Sequence, residues 1–141
     1  MIRIAAFQWT DADGLMPEAD SAALRANLAT MAAKGRAFTL RTDGRILAVM
    51  GVLAVHDQCG TAWALMAPGC WGHMGALTRI VRDYLDGLPF RRIDMLVRAE
   101  FAPGHRWATR LGFAREGLLR AWRPDGGDMV MHARIRGDND G

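Results

Sequence analysis

The sequence is short of several things, and each shortage excludes a class of protein. Its 141 residues hold only two cysteines, Cys59 near the end of a strand or turn and Cys70 in a loop. Two isolated thiols make neither a disulfide framework nor a zinc site, so they read as reduced thiols of a cytoplasmic protein. There is one tyrosine, Tyr84, and there is no His/Cys/Asp/Glu cluster at metal-ligand spacing, no Ser-His-Asp set and no Walker-type loop. No metal is expected. No window approaches the roughly 18 uninterrupted apolar residues of a membrane span. The N-terminus MIRIAAFQWTDADG has one Arg and a short apolar run soon broken by acids, which is not a signal peptide. A membrane partner is therefore not expected, and the location should be the cytoplasm or a particle assembled there. Blocks of one charge are missing too: the net charge of +3 comes mostly from scattered arginines, with only Arg91-Arg92 and the alternation Arg134, Arg136 standing out. A nucleic-acid binder ordinarily shows a basic stripe with interleaved aromatics, so nucleic acid is not the expected partner. An anionic small ligand, such as a phosphorylated cofactor, suits so modest an excess.

What is present is enough for one core. Half the residues are hydrophobic and 23% are charged, a globular balance over a length typical of one domain. We expect a single domain over residues 1–136 and a flexible tail over 137–141. Ile2, Ile4 and Ala6 alternate with Arg3 and Ala5 as in a half-buried strand. After the loop DADGLMPEAD, a helix capped by Asp20 or Ser21 carries Leu24, Leu28 and Met31 on one face until Gly35 stops it. Ala37 to Arg41 and Arg45 to Val55 are strands joined by Thr42-Asp43-Gly44, whose Asp-Gly pair suits a tight hairpin. The second is apolar on both faces and belongs in the sheet interior, with a bulge plausible at Gly51. Thr61 to Met66 is a further strand, ended by Pro68-Gly69. From His73 to Leu85, Leu77, Ile80/Val81 and Tyr84 mark a second amphipathic helix. A strand over Arg92 to Ala99, a helix over Ala102 to Leu111, and strands over Phe113 to Trp122 and Met129 to Ile135 follow, the last two separated by Pro124-Asp125-Gly126-Gly127. The order β-α-β-β-β-α-β-α-β-β is α/β with a mixed central sheet, not a doubly wound one.

That order, with the block GHRWATRLGFAREGLLR from Gly104 to Arg120, resembles the Gcn5-related N-acetyltransferase (GNAT) superfamily over roughly residues 2 to 136. In that family a helix ends in Leu-Gly-Phe and the chain enters a strand through Glu-Gly. Leu111-Gly112-Phe113 and Glu116-Gly117 stand at this spacing, the Gly allowing a left-handed cap and Phe113 plugging the core beneath it. A narrower resemblance, carried by WALM (Trp63 to Met66), HRWATRLGF and RPDGGDMVMHARIR, is to GNAT-like proteins of tailed phages and prophages.

The resemblance implies acetyl-CoA as cofactor, held where two parallel strands, Thr61–Met66 and Arg92–Ala99, splay apart. Its pyrophosphate would lie on backbone N–H groups opening the crossover helix. The family marks that loop Gln/Arg-x-x-Gly-x-Gly/Ala. Here Pro68-Gly-Cys-Trp-Gly-His-Met-Gly-Ala76 puts Trp71 and Met74 at the first and middle conserved positions, leaving Gly72, His73, Met74, Gly75 and Ala76, with Trp107, as the candidate cofactor residues. Amine acetylation needs a base for the amine proton and an acid for the leaving thiolate. The family's tyrosine acid falls at Ala108 and its usual Asn at Phe101. Glu100 is the candidate base, against its reading as a solvated carboxylate at a helix start, and His105 is the remaining candidate to help the thiolate leave. His132, in the last strand, reads as structural. Two jobs stay open: N-acetylation of a small amine or a protein amino group, and a catalytically silent phage virion or assembly protein whose partners would be other virion proteins.

Overall fold

A computed structural model of the chain describes residues 1–12, 15, 29, 30, 33 and 36–137. The capping and facing residues of the first expected helix, and tail residues 138–141, lie outside the described residues. Seven strands are described: β1 (Arg3–Ala6), β2 (Ala37–Thr42), β3 (Arg45–His56), β4 (Cys59–Met66), β5 (Arg92–Arg98), β6 (Ala114–Leu119) and β7 (Met129–Ile135). They form one mixed sheet in the order β1-β2-β3-β4-β5-β7-β6. Ala29, Thr30 and Ala33 of the first expected helix are helical, and two α-helices described over their whole length accompany the sheet, α1 (Met74–Asp86) and α2 (Ala102–Arg110), with short 3-10 turns at Trp9–Ala12 and Pro68–His73. By packing, the chain divides into Met1–Leu53 with Ala62–Met74 and Ala54–Thr61 with Gly75–Gly141.

In the first unit β1, β2 and β3 pair antiparallel. The hairpin is the tight one expected: Thr42 pairs with Arg45, and Asp43 and Gly44 between them have φ of 51° and 76°, the positive pair that a two-residue turn demands. Leu47, Ala48 and Val49 are all buried, consecutive residues on opposite faces, so β3 is an interior strand. The bulge is not at Gly51. Gly51 pairs regularly with Ala37, and the register slips instead between Leu40 and Arg41. Gly51 is there because a Cβ would run into the carbonyl oxygen of Arg36 and come within 2.9 Å of the Ala37 Cα. The half-buried character expected of β1 is not found either. All four of its residues are exposed, Ile4 to 58%, on an edge strand that pairs with β2 alone. Asp11 ties this end together, accepting from Thr39 Oγ1 at 2.7 Å, Arg41 at 2.7 Å and the Gln8 amide at 3.0 Å.

In the second unit β7 pairs along the whole of β5, from Arg92↔Ile135 to Arg98↔Met129, and β6 pairs on its other side. The inner face of α1 is Leu77, Thr78, Val81 and Leu85, and Tyr84 is only half-buried. The expected stripe through Tyr84 was thus slightly rotated, since an i, i+1, i+4, i+8 stripe follows the 3.6-residue turn more closely. Burying Leu77 completely contributes about 2 kcal/mol. The end of α2 is as expected. Gly112 has φ of 92°, its N–H donates to the Thr109 carbonyl, and the Phe113 N–H donates to the Ala108 carbonyl, while Phe113 is buried. Strand β6 stops at Leu119, short of the expected Trp122, because Ala121 turns the chain with φ of 53°.

Candidate functional site

The strands expected to flank a cofactor run parallel. Cys59, Gly60 and Thr61 of β4 pair with Arg92, Ile93 and Asp94 of β5, and the ladder stops there although β5 continues to Arg98. Polar side chains fix this junction. Thr61 Oγ1 donates to Asp94 Oδ1 at 2.7 Å, and Arg92 Nε donates to Asp94 Oδ2 at 3.2 Å. The rest of the Arg92 guanidinium meets both oxygens of Glu116, at 2.9 and 2.7 Å. This two-pronged pair lowers the Glu116 carboxyl below its usual range and raises the Arg92 guanidinium above its own.

Ahead of α1, Ala67 is extended (φ −77°, ψ 151°), as a residue before proline prefers. Pro68 opens a 3-10 turn that runs into α1 through Met74 at φ −61°, ψ −32°. Cys70 points inward with no exposure, and burial pushes its thiol up, which makes it packing and not a nucleophile. Trp71 is half exposed, and His73, Met74 and Ala76 are partly buried. Gly69, Gly72 and Gly75 share a feature absent at Gly51: a Cβ built on any of them would meet nothing within 4 Å. Packing does not require glycine here. Gly69, Gly72 and Gly75 are exposed and leave open space beside the chain where a 3-10 turn runs into a 13-residue helix with no acid in its first turn. Space is open beside Gly72 and Gly75, while at Met74 between them a side chain stands where the resembled family has glycine.

At the C-terminal end of β5, Glu100 is exposed and held by Arg123, whose Nη1 lies 2.8 Å from one carboxylate oxygen and 3.1 Å from the other. Arg123 also donates to Asp125 Oδ1 at 3.1 Å and to the Asp128 carbonyl at 3.2 Å, and its side chain is only 13% exposed. Gly127 makes this fit possible, since a Cβ there would strike the guanidinium. The Arg123 hydrogen bond lowers the Glu100 carboxyl below the usual carboxylate range and so weakens it as a base.

His105 has both ring nitrogens engaged. Nε2 lies 2.9 Å from the Ala99 carbonyl and Nδ1 lies 2.9 Å from Nε2 of His132. The Trp107 N–H donates to Thr78 Oγ1 at 2.9 Å, pinning α2 to α1 and leaving the ring, not the N–H, for any packing against a ligand. Ala108 is fully buried. The structure thus brings Glu100 to Arg123, His105 to His132 and Trp107 to Thr78, while Gly72 to Ala76 form the continuous entry to α1. Arg123 and the His105–His132 contact were not singled out from sequence. The available signal for Arg123 was its place beside the Pro-Asp-Gly-Gly turn; a cross-element histidine contact leaves no spacing to read.

No family model matches the chain, and no curated protein matches it in sequence. Solved structures do match. The ribosomal-protein-S18-alanine N-acetyltransferase of Escherichia coli superposes with a TM-score of 0.70 at 22% identity, over 99% of this chain and 98% of that one. Mycobacterium smegmatis RimJ, solved in complex with CoA-disulfide, gives 0.70 at 18% identity over 99% and 84%. A GNAT-family acetyltransferase from Bacillus anthracis gives 0.65 at 13% over 95% and 94%. The fold is the GNAT fold. The Leu111-Gly112-Phe113 cap and the parallel β4–β5 pair are therefore parts of a GNAT scaffold, and no helix among the described residues is long and apolar enough to cross a membrane.

Proposed function

We propose that this chain is an acetyl-CoA-dependent N-acetyltransferase acting on a small amine or a protein amino group. The observation that carries the reading is the open space beside Gly72 and Gly75, where packing does not call for glycine, at the entry to the crossover helix of a GNAT scaffold. RimJ, similar in fold, was solved with a CoA derivative, which supports the same cofactor here. The residues that would hold it are Gly72, His73, Met74, Gly75 and Ala76, with the Trp107 ring packing beside it. The cofactor would supply an acyl thioester.

The chain's own groups set how fast an amine can react. A nucleophilic amine must be neutral, so a group has to take its proton, and Glu100 is the carboxylate assigned to that role. Arg123 keeps Glu100 ionised but weakly basic, which favours binding an ammonium over deprotonating it. Ala108 offers no hydrogen to a departing thiolate, and His105 has both nitrogens in use. Turnover is therefore slow. A thiol-release assay over a panel of amines tests this: the wild type should give low but measurable release, and Glu100→Gln should lower it about a hundredfold. Buried Ala108 favours one second reading, a GNAT scaffold without catalysis, of which a phage virion or assembly protein is one form. CoA binding with no release from any amine would select it.

A further inference from the structure

His132, which the acyltransferase reading does not use, has an atom with nothing to bond to. It lies mid-strand in β7, 3% exposed, and its Nδ1 is buried without a hydrogen-bond partner. Its other nitrogen meets His105 in the first turn of α2, and His105 in turn meets the carbonyl of Ala99 just past β5. The hydrogens along this chain can be assigned. A carbonyl only accepts, so Nε2 of His105 carries a hydrogen. In neutral His105 the Nδ1 is then a lone pair, so Nε2–H of His132 donates to it. Nδ1 of His132 is left as a bare lone pair facing no donor.

Adding one proton to this pair has two routes, and both end at the same atom. If the proton goes to His132, its Nδ1 becomes an N–H with no acceptor. If it goes to Nδ1 of His105, that nitrogen must donate to His132 Nε2, and a neutral His132 must move its own hydrogen to Nδ1. Either way a buried N–H is left unpaired, at a cost of roughly 1–3 kcal/mol. The way out is for the two rings to part and for water to reach the charged imidazole.

We propose that the His105–His132 contact is an acid-released latch that holds the β5-to-α2 corner, residues 99–105, against β7. The charges around it act in the same sense. On β6, Arg115 pairs with His132 and adds a positive charge. On β5 the opposite residue is uncharged Met95. Along β7, Arg134 is ion-paired with Asp86 of α1. From α2 the facing group is His105 itself. Among the described residues no carboxylate is hydrogen-bonded to either ring. Burial first, then His105 and Arg115, push the His132 imidazole below the usual histidine value. The stability this gives is present above the unfolded histidine value of about 6.5 and is lost as pH falls below it. The corner so released carries Glu100 and the first turn of α2.

The latch does not depend on the enzymatic reading and is tested without activity. In the full chain, His132 should titrate below 6.5 by carbon–proton NMR. Hydrogen-exchange protection of the His105 amide, corrected for intrinsic rate, should fall by up to about tenfold per pH unit over that range. His132→Gln, whose amide can donate to His105 but cannot titrate, should hold protection flat. Titration of His132 at or above 6.5, protection unchanged down to pH 5, or equal loss in wild type and variant would each overturn the proposal. Should the variant fail to fold, the wild-type titration and exchange decide alone.

Discussion

At Gly51, Gly104 and Gly127 a side-chain carbon would run into atoms already in place, whereas at Gly69, Gly72 and Gly75 it would meet nothing within 4 Å. The first set is packed against neighbours, most rigidly at Gly51. At Gly51 the obstacle is neighbouring backbone, at Gly104 it is the Phe101 ring and Val97, each 2.7 Å away, and at Gly127 it is the Arg123 guanidinium. The glycines of the second set are themselves exposed, so a larger residue there would cost little. Glycines that folding does not need, placed where a helix dipole gathers partial positive charge, are what close approach of an anion would call for. The contrast separates residues that build the scaffold from residues free to serve a ligand.

Substituting alanine across both sets can break that contrast. The largest effect is expected for Gly51→Ala, because backbone cannot yield as a side chain can: a loss of about 3 kcal/mol, read from the denaturant midpoint. Gly127→Ala should shift the midpoint less, since the guanidinium can swing away. Its signature is electrostatic: Glu100, released from Arg123, should titrate closer to an ordinary glutamate by NMR. Gly75→Ala in the first turn of α1 should be neutral or stabilising by about 0.5 kcal/mol, as alanine is the better helix former. A loss comparable to that of Gly51→Ala would show that packing does require this glycine. Smallest of all should be the effect of salt on the pairs Arg92–Glu116 and Arg123–Glu100. Each depressed carboxyl adds stability that is present above the usual glutamate value near 4.3 and is lost as pH falls below it. In these exposed pairs that acid-sensitive part should shrink as ionic strength rises.

The fold was legible wherever short-range chemistry decides structure. Asp43-Gly44 names its turn, the two-faced apolar run of β3 names an interior strand, and Leu111-Gly112-Phe113 names a cap that the structure reproduces bond by bond. It was less legible where distant parts of the chain set the outcome. Gly51 reads as a bulge from its own strand and is explained only by the Arg36 carbonyl beside it. Ile4 alternates as if half-buried, but its place at the sheet edge follows from strand order. Around the candidate site, the motif positions Met74 and Ala108 were visible at once. The partners that define Glu100 and His105 were not, because Arg123 and His132 lie 23 and 27 residues away from them and meet them only once the sheet has formed.

The central claim, that the segment Gly72 to Ala76 holds a CoA phosphate, is tested most directly by titration calorimetry with CoA on the wild type and on Gly75→Glu. The substitution adds a negative charge where the structure leaves open space, so folding should be retained, as thermal unfolding will show. The account predicts measurable CoA binding to the wild type and at least a tenfold loss in the variant at an unchanged unfolding midpoint. Equal affinity in the two folded proteins, or no CoA binding by the wild type, would contradict it.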